Sequence, residues 1–391
     1  MTLKEELEIL RGEPISVFEG NPMDIPCIET SDAQNLCKHP IVSVHMITYN
    51  HEPYIRQAIE GVMMQKTDFE FELVIGEDCS KDKTREICFE YQKKYPDKIR
   101  VLWWHENVTK FGGNDRRVSA HCRGEFIAFC EGDDYWIDPL KLQKQVDVMR
   151  KYPNVGFCFC GAYNYSADDG IFRDYYLSSN FPIGFMDGKS YIKRNVFGSG
   201  INGVLGRESF VRTASAIVRA DVMNKAKREF ELLSWRLFLA DVPLWLSVSA
   251  LSDVYYLQDR VAVYRRTPTG LCATKGENVL RDNYLTRIYF LVLLFQDLVQ
   301  SESSCITKRY LHTLARVLIK TGNEKKSSEI IKFIHRSTKY KWLLGSSNFG
   351  LRLLMRMNML TAGSYKFEQK ISTIMRYLTR VISFIKRRLV K

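Results

Sequence analysis

Glu125-Phe126-Ile127-Ala128-Phe129-Cys130-Glu131-Gly132-Asp133-Asp134-Tyr135-Trp136 is the stretch that decides the fold. Its apolar run reads as a strand, and that strand stops at three carboxylates set around a glycine. The same grammar recurs upstream. Ile41-Val42-Ser43-Val44-His45-Met46-Ile47 reads as a buried strand and is followed by Thr48-Tyr49-Asn50-His51-Glu52. Phe71-Glu72-Leu73-Val74-Ile75-Gly76 reads as a second strand, followed by Glu77-Asp78-Cys79-Ser80-Lys81-Asp82. Ile99 to Trp104 makes a third, and Asn154 to Tyr163 is strand-like. Between them, Glu52 to Met64 carries helical spacing through Ile55, Ile59 and Val62. Thr84 to Tyr95 is a helix stopped by Pro96, and Pro139 to Tyr152 a helix with proline near its start and Pro153 past its end. Strand and helix alternate, which predicts an α/β fold with a mostly parallel sheet and helices on both faces.

In such sheets ligands bind beyond the carboxyl ends of the strands. Those ends here are polar and acidic. Aspartate is a good turn residue, which accounts for Asp82, Asp97 or Asp138. It accounts less well for Glu131, Asp133 and Asp134 together, because clustered carboxylates repel and burial raises the cost. A divalent cation removes both penalties, and Mg²⁺ or Mn²⁺ bridges carboxylates to substrate phosphates. No GxGxxG follows the first strand and GxxxxGK[ST] is absent, so a dinucleotide or P-loop fold is disfavoured.

These motifs resemble the family 2 glycosyltransferases, which have a GT-A fold. The residues carrying the resemblance are Val44 to Glu52, Glu77 to Thr84, and Arg123 to Ala128 running into Glu131-Gly132-Asp133-Asp134-Tyr135-Trp136. Ala240-Asp241-Val242-Pro243-Leu244-Trp245 and Val263-Tyr264-Arg265-Arg266 look like the family's later acidic and Tyr-Arg segments. The resemblance implies sugar transfer from a nucleotide-diphosphate sugar, first of all a UDP-sugar, to a glycan or lipid-linked acceptor, as in bacterial surface-polysaccharide assembly. It places Thr48, Asn50 and Glu52 against the nucleoside and Asp78 on the base. Asp133 would bind the Mg²⁺ or Mn²⁺, Glu131 would face the ribose where the family usually has Asp, and Asp241 would be the catalytic base. Arg265 would set a cation near the leaving diphosphate. Asn114 and Arg117 resemble the polar segment before the acidic motif; they touch the donor or belong to a solvated loop. For Asp241 the bland alternative is an N-cap of the apolar helix Val242 to Leu251. Residues 190–225 would form the acceptor side, although Ser215 to Val218 also reads as a core strand. Trp136 and Trp245 read as packing residues.

The chain has 391 residues, 45% hydrophobic and 26% charged, which excludes a disordered chain, a collagen and a coiled-coil rod. The expected organisation is an N-terminal extension over 1–40, a GT-A domain over 41–270 and a basic helical region over 271–391. Net charge is +12, from 57 basic and 45 acidic residues. Twenty of the basic but only three of the acidic residues fall between Cys305 and Lys391, so the excess sits there. Ile371, Ile374, Met375, Leu378, Ile382, Ile385 and Leu389 follow helical spacing beside Arg376, Arg380, Arg387 and Arg388. That helix lies on an anionic membrane surface or packs on its own domain. A nucleic-acid reader motif is missing. Ten scattered cysteines without CxxC, and an N-terminus without a signal-peptide pattern, lead to an expected cytoplasmic location, peripheral to the inner face of the membrane if the helix binds it. The rival readings are a nucleotidyltransferase on a similar sheet and a non-catalytic membrane-associated scaffold.

Overall fold

A computed structural model describes residues 2–11, 14–18, 20–108, 113–166, 170–175, 181–197, 211–237, 241–267, 282, 285–290 and 293–294. In chain order the elements are α1 (Leu3–Arg11), β1 (Ile28–Thr30), β2 (Val42–Thr48), α2 (Ile55–Met63), β3 (Phe71–Glu77), α3 (Thr84–Lys94), β4 (Ile99–Trp103), α4 (Gly113–His121), β5 (Phe126–Phe129), β6 (Tyr135–Trp136), α5 (Lys141–Lys151), β7 (Val155–Ser166), β8 (Ile171–Tyr175), β9 (Gly184–Met186), α6 (Gly188–Phe197), β10 (Ala216–Arg219), α7 (Ala220–Glu229), α8 (Asp241–Leu251) and β11 (Asp253–Arg266).

One sheet contains all the strands, in the order β1-β4-β3-β2-β5-β10-β7-β11-β6, with β8 on β7 and β9 on β11. The pairs β4-β3, β3-β2 and β2-β5 are parallel, the arrangement that buried, near-continuous apolar strands favour. Beyond β5 the sheet turns mixed: β10 runs antiparallel to both neighbours, and β11 is parallel to β7 but antiparallel to β6. The pleat sorts side chains to two faces. Val42, Val44 and Met46 of β2, Leu73 and Ile75 of β3 and Cys158 and Cys160 of β7 join one core with residues of α2, α3 and α5. On the other face Val74, Leu102 and Val118 form a small cluster under α4. Further along, Phe157 stacks on Trp245 of α8 at 4.8 Å.

The chain divides into two compact units, residues 14–295 and residues 1–13 with 296–391. In the second, only α1 falls within the described residues. A reciprocal cap starts it: the Glu5 N–H donates to Thr2 Oγ1 and the Thr2 N–H to Glu5 Oε2. The larger unit is wider at both ends than the expected 41–270. β1, from the proline-rich extension, pairs antiparallel with β4, and Glu29 forms an ion pair with Arg100. Past 270, Phe290 packs on Phe230 and Tyr289 on Trp235. The basic helix expected near the C-terminus lies outside the described residues. Among those that are described, no helix is long and apolar enough to cross a membrane.

Candidate active site

Three loops leave the carboxyl ends of β2, β3 and β5 and meet at one rim. The first two are knitted together. Asn50 takes a left-handed φ of 54°, which asparagine tolerates better than most residues, and Cys79 takes 61°. The Asn50 N–H donates to Ser80 Oγ and the Lys81 N–H to Asn50 Oδ1, at 2.9 and 2.8 Å. Glu52 repeats the exchange: its N–H donates to Asp82 Oδ2 and its carboxylate accepts from the Lys83 N–H. Asp78 is buried, and its Oδ1 accepts the Val108 N–H at 2.7 Å. Glu77 beside it is also buried, but bound by Arg85 and the Ser80 N–H.

The third loop abuts the first. Gly132 donates its N–H to the Ile47 carbonyl. A Cβ there would sit 2.6 Å from Thr48 Oγ1 and 2.9 Å from His51 Nδ1, so only glycine lets the acidic loop close on β2. Thr48 and His51 share a hydrogen bond of 3.2 Å. On either side of Gly132 stand Glu131 and Asp133. Glu131 Oε2 is buried without a partner. Burial, then the Asp133 and Asp241 charges, push the Glu131 carboxyl up to about 7. Asp134 is driven well above the usual carboxylate range by burial, then by Asp133 and Glu131, although its Oδ1 accepts the Arg265 N–H at 2.8 Å.

Arg265, at the end of β11, grips this loop. Its Nη1 donates to the Asp133 carbonyl at 2.8 Å, its Nη2 to Gln57, and its guanidinium lies over Tyr135 at 4.3 Å and Tyr54 at 5.2 Å. Asn114 and Arg117 are no solvated loop. They share one face of α4, and both are buried. Arg117 donates to Asn114 Oδ1 and to the Glu77 and Pro26 carbonyls, while Asn114 Nδ2 donates to the Gly76 carbonyl. They brace the end of β3 from behind.

Asp241 opens α8. Its Oδ1 accepts the Val242 N–H at 2.8 Å and its Oδ2 the Thr213 hydroxyl at 3.4 Å. Burial raises its proton affinity, against the pull of Val242, Arg212 and Thr213. Its effect on Glu131 places it on the same rim. Thr48, Asn50, Glu52, Asp78, Glu131, Asp133, Asp241 and Arg265 thus come together, with Asn114 and Arg117 behind them. His51, Gln57, Arg212 and Thr213 belong to the rim as well. Of these, His51 carried a sequence signal in its place after β2, and Arg212 and Thr213 fall within the 190–225 segment expected on the acceptor side; Gln57 carried none. Trp136 and Trp245 are buried packing residues, and the Trp136 indole N–H donates to the Ala214 carbonyl at 2.7 Å. Among the described residues, no three His, Cys, Asp or Glu side chains make a metal cage by themselves.

The family described as "Glycosyl transferase family 2" matches residues 43–212, which hold the three loops. Through this segment the chain is similar to the family 2 glycosyltransferases. An uncharacterised protein of Mycobacterium tuberculosis is 42% identical over 118 residues, 30% of this chain and 34% of that one. The putative teichuronic acid biosynthesis glycosyltransferase TuaG of Bacillus subtilis is 30% identical over 148 residues, 38% of this chain and 56% of TuaG. The dTDP-rhamnosyl transferase RfbG of Shigella flexneri is 31% identical over 110 residues, 27% of this chain and 36% of RfbG. The chain therefore spans between about a third and about half of these relatives. Among solved structures, S. aureus TarS 1–349 is 16% identical with a TM-score of 0.43, over 79% of this chain and 91% of that chain.

Proposed function

We propose that the chain is an inverting glycosyltransferase that moves a sugar from a nucleotide-diphosphate sugar to a hydroxyl of a glycan or lipid-linked acceptor. The observation that carries this reading is the unpartnered, buried Glu131 oxygen facing two further carboxylates. A buried polar atom without a partner in a native fold calls for an explanation, and a cation-bound ligand supplies one. The donor set is all oxygen and mutually repelling, which fits a hard divalent cation that takes its other ligands from phosphates. Asp133 would hold Mg²⁺ or Mn²⁺, which supplies positive charge to the departing diphosphate.

The chain's own residues do the rest. The knitted loops after β2 and β3 form the nucleoside side, with Asp78, held by the Val108 N–H, on the base. Glu131 faces the ribose. Asp241 accepts the proton of the acceptor hydroxyl as its oxygen attacks the anomeric carbon. The bond from that carbon to the diphosphate oxygen breaks, and the nucleoside diphosphate leaves. The names of TuaG and RfbG support a bacterial polysaccharide setting, and RfbG's supports a nucleotide-sugar donor. UDP-sugars head the donor panel, with dTDP-sugars beside them.

Thermal unfolding with UDP, dTDP and GDP, each with and without Mn²⁺, tests the reading. Stabilisation that needs nucleotide and metal together is expected. No response to any pair would refute it.

A further inference from the structure

Asp241 is not held by its helix alone. Arg212 and Thr213 open the short 3₁₀ turn that leads into β10, and that turn is fixed on several sides. The Ser215 N–H and hydroxyl both donate to the Arg212 carbonyl, at 2.8 and 2.7 Å. Gln145 Nε2 donates to the Ser215 carbonyl at 2.9 Å, and the Trp136 indole to that of Ala214. The turn is thereby tied to the segment that continues the acidic loop. From this base the Thr213 hydroxyl reaches Asp241 Oδ2, a long bond of the kind that tightens when a reacting complex forms. The Arg212 guanidinium is itself clamped: its Nε donates to Asn164 Oδ1 at 3.0 Å and it lies 4.2 Å over the Tyr264 ring. Asn164 and Tyr264 are register partners on β7 and β11, so two strands fix one cation.

We propose that Arg212 and Thr213 are positioning residues for Asp241: the hydroxyl directs one carboxylate oxygen, and the clamped guanidinium is the cation that this carboxylate faces. The inference rests on the reading of Asp241 as the base. With Oδ1 given to the helix N–H and Oδ2 steered by Thr213, the free lone pairs of Oδ2 are left for an incoming hydroxyl. The charged groups acting on Asp241 come from two elements. Arg212, on the turn, favours the ionised form, while Glu131, on the acidic loop, opposes it once ionised. A base must be ionised to accept a proton, so the cation keeps it competent as pH falls.

The test uses the full chain carrying ¹³C-carboxylate aspartate, with the Asp241 signal assigned by its loss in Asp241→Asn. Arg212→Gln is expected to move the Asp241 titration midpoint upward by about one pH unit, and Arg212→Lys to move it by less. Hydrolysis of UDP-N-acetylglucosamine with Mn²⁺ and water as acceptor should then lose its acidic limb in Arg212→Gln at correspondingly higher pH. Thr213→Val should lower turnover about tenfold with UDP affinity unchanged, and Thr213→Ser should restore it. A midpoint unmoved in Arg212→Gln overturns the inference, and the titration reads this even if no donor turns over. Thr213→Val at full rate beside an inactive Asp241→Asn overturns the Thr213 half. Asp241→Asn hydrolysing at the wild-type rate would instead overturn the reading of the base itself.

Discussion

Glu72, fully buried, and Glu131, half-buried with one oxygen shut off from solvent, are acids of the same sheet at opposite ends of its parallel strands. Glu72, near the start of β3, accepts from Arg100, Arg123 and Ser43, at distances from 2.6 to 3.2 Å. Glu131, beyond β5, keeps one oxygen unpartnered beside Asp133 and Asp241. A buried charge is tolerated when hydrogen bonds and an opposite charge surround it. The first acid meets that condition within the chain, and the second does not. One end of the sheet is finished by the protein, and the other is built to be finished by something else. Glu77 sharpens the point: it sits at the rim, yet Arg85 satisfies it, so position alone does not make an acid functional.

Substitutions can break this contrast. The largest effect should come from Asp241→Asn, which removes the proposed proton acceptor. Turnover should fall by about 10²–10⁴ while nucleotide affinity stays. Calorimetry showing lost nucleotide binding would return Asp241 to a helix cap. Next, Glu72→Ala takes a carboxylate from the buried Arg100 and from the exposed Arg123, and should cost about 3 kcal/mol in urea unfolding. A cost as small as that of a surface change would mean that the opposite end is not held by this acid. Gly132→Ala pushes a methyl into Thr48 and His51 and should cost about 1–3 kcal/mol, with weaker nucleotide binding. Normal affinity in that variant would show that the acidic loop need not close on β2.

The smallest effect is a pH dependence. In metal-free protein Glu131 holds its proton up to about 7, against an ordinary value of 4.5. The folded state thus binds more protons between those values, and stability declines as pH rises through them. Glu131→Gln should flatten that decline, melting higher than wild type above pH 7 and alike below pH 4.5. Parallel curves at every pH would mean that Glu131 is as well satisfied as Glu72.

The half of the site built from strand ends was legible in the chain, because an apolar run followed by acids is a local pattern. Glu131, Asp133 and Asp78 lie where that pattern puts them. What was hidden depends on contacts distant in sequence. Thr213 meets Asp241 from 28 residues upstream, and no spacing rule links them. Arg265 looked like a phosphate-binding cation; the fold turns its guanidinium onto the Asp133 carbonyl and between two tyrosines. Asn114 and Arg117 fall in Gly113–His121, so polar that its apolar stripe reduces to Val118, and tertiary burial rather than periodicity makes it a helix. β1 is a three-residue strand that exists only because the edge of β4 accepts it.

The indole of Trp136 ties two parts of the site together. It follows the acidic loop by two residues, reaches the turn that carries Thr213, and has the Lys141 ammonium 4.1 Å over its ring. The acidic loop and the turn that carries Thr213 are therefore joined by a single rigid strut. Descendants of this chain can drift toward new acceptors through the loops around that strut, but a change in the strut itself alters both at once. Directed evolution of acceptor choice should leave Trp136 untouched.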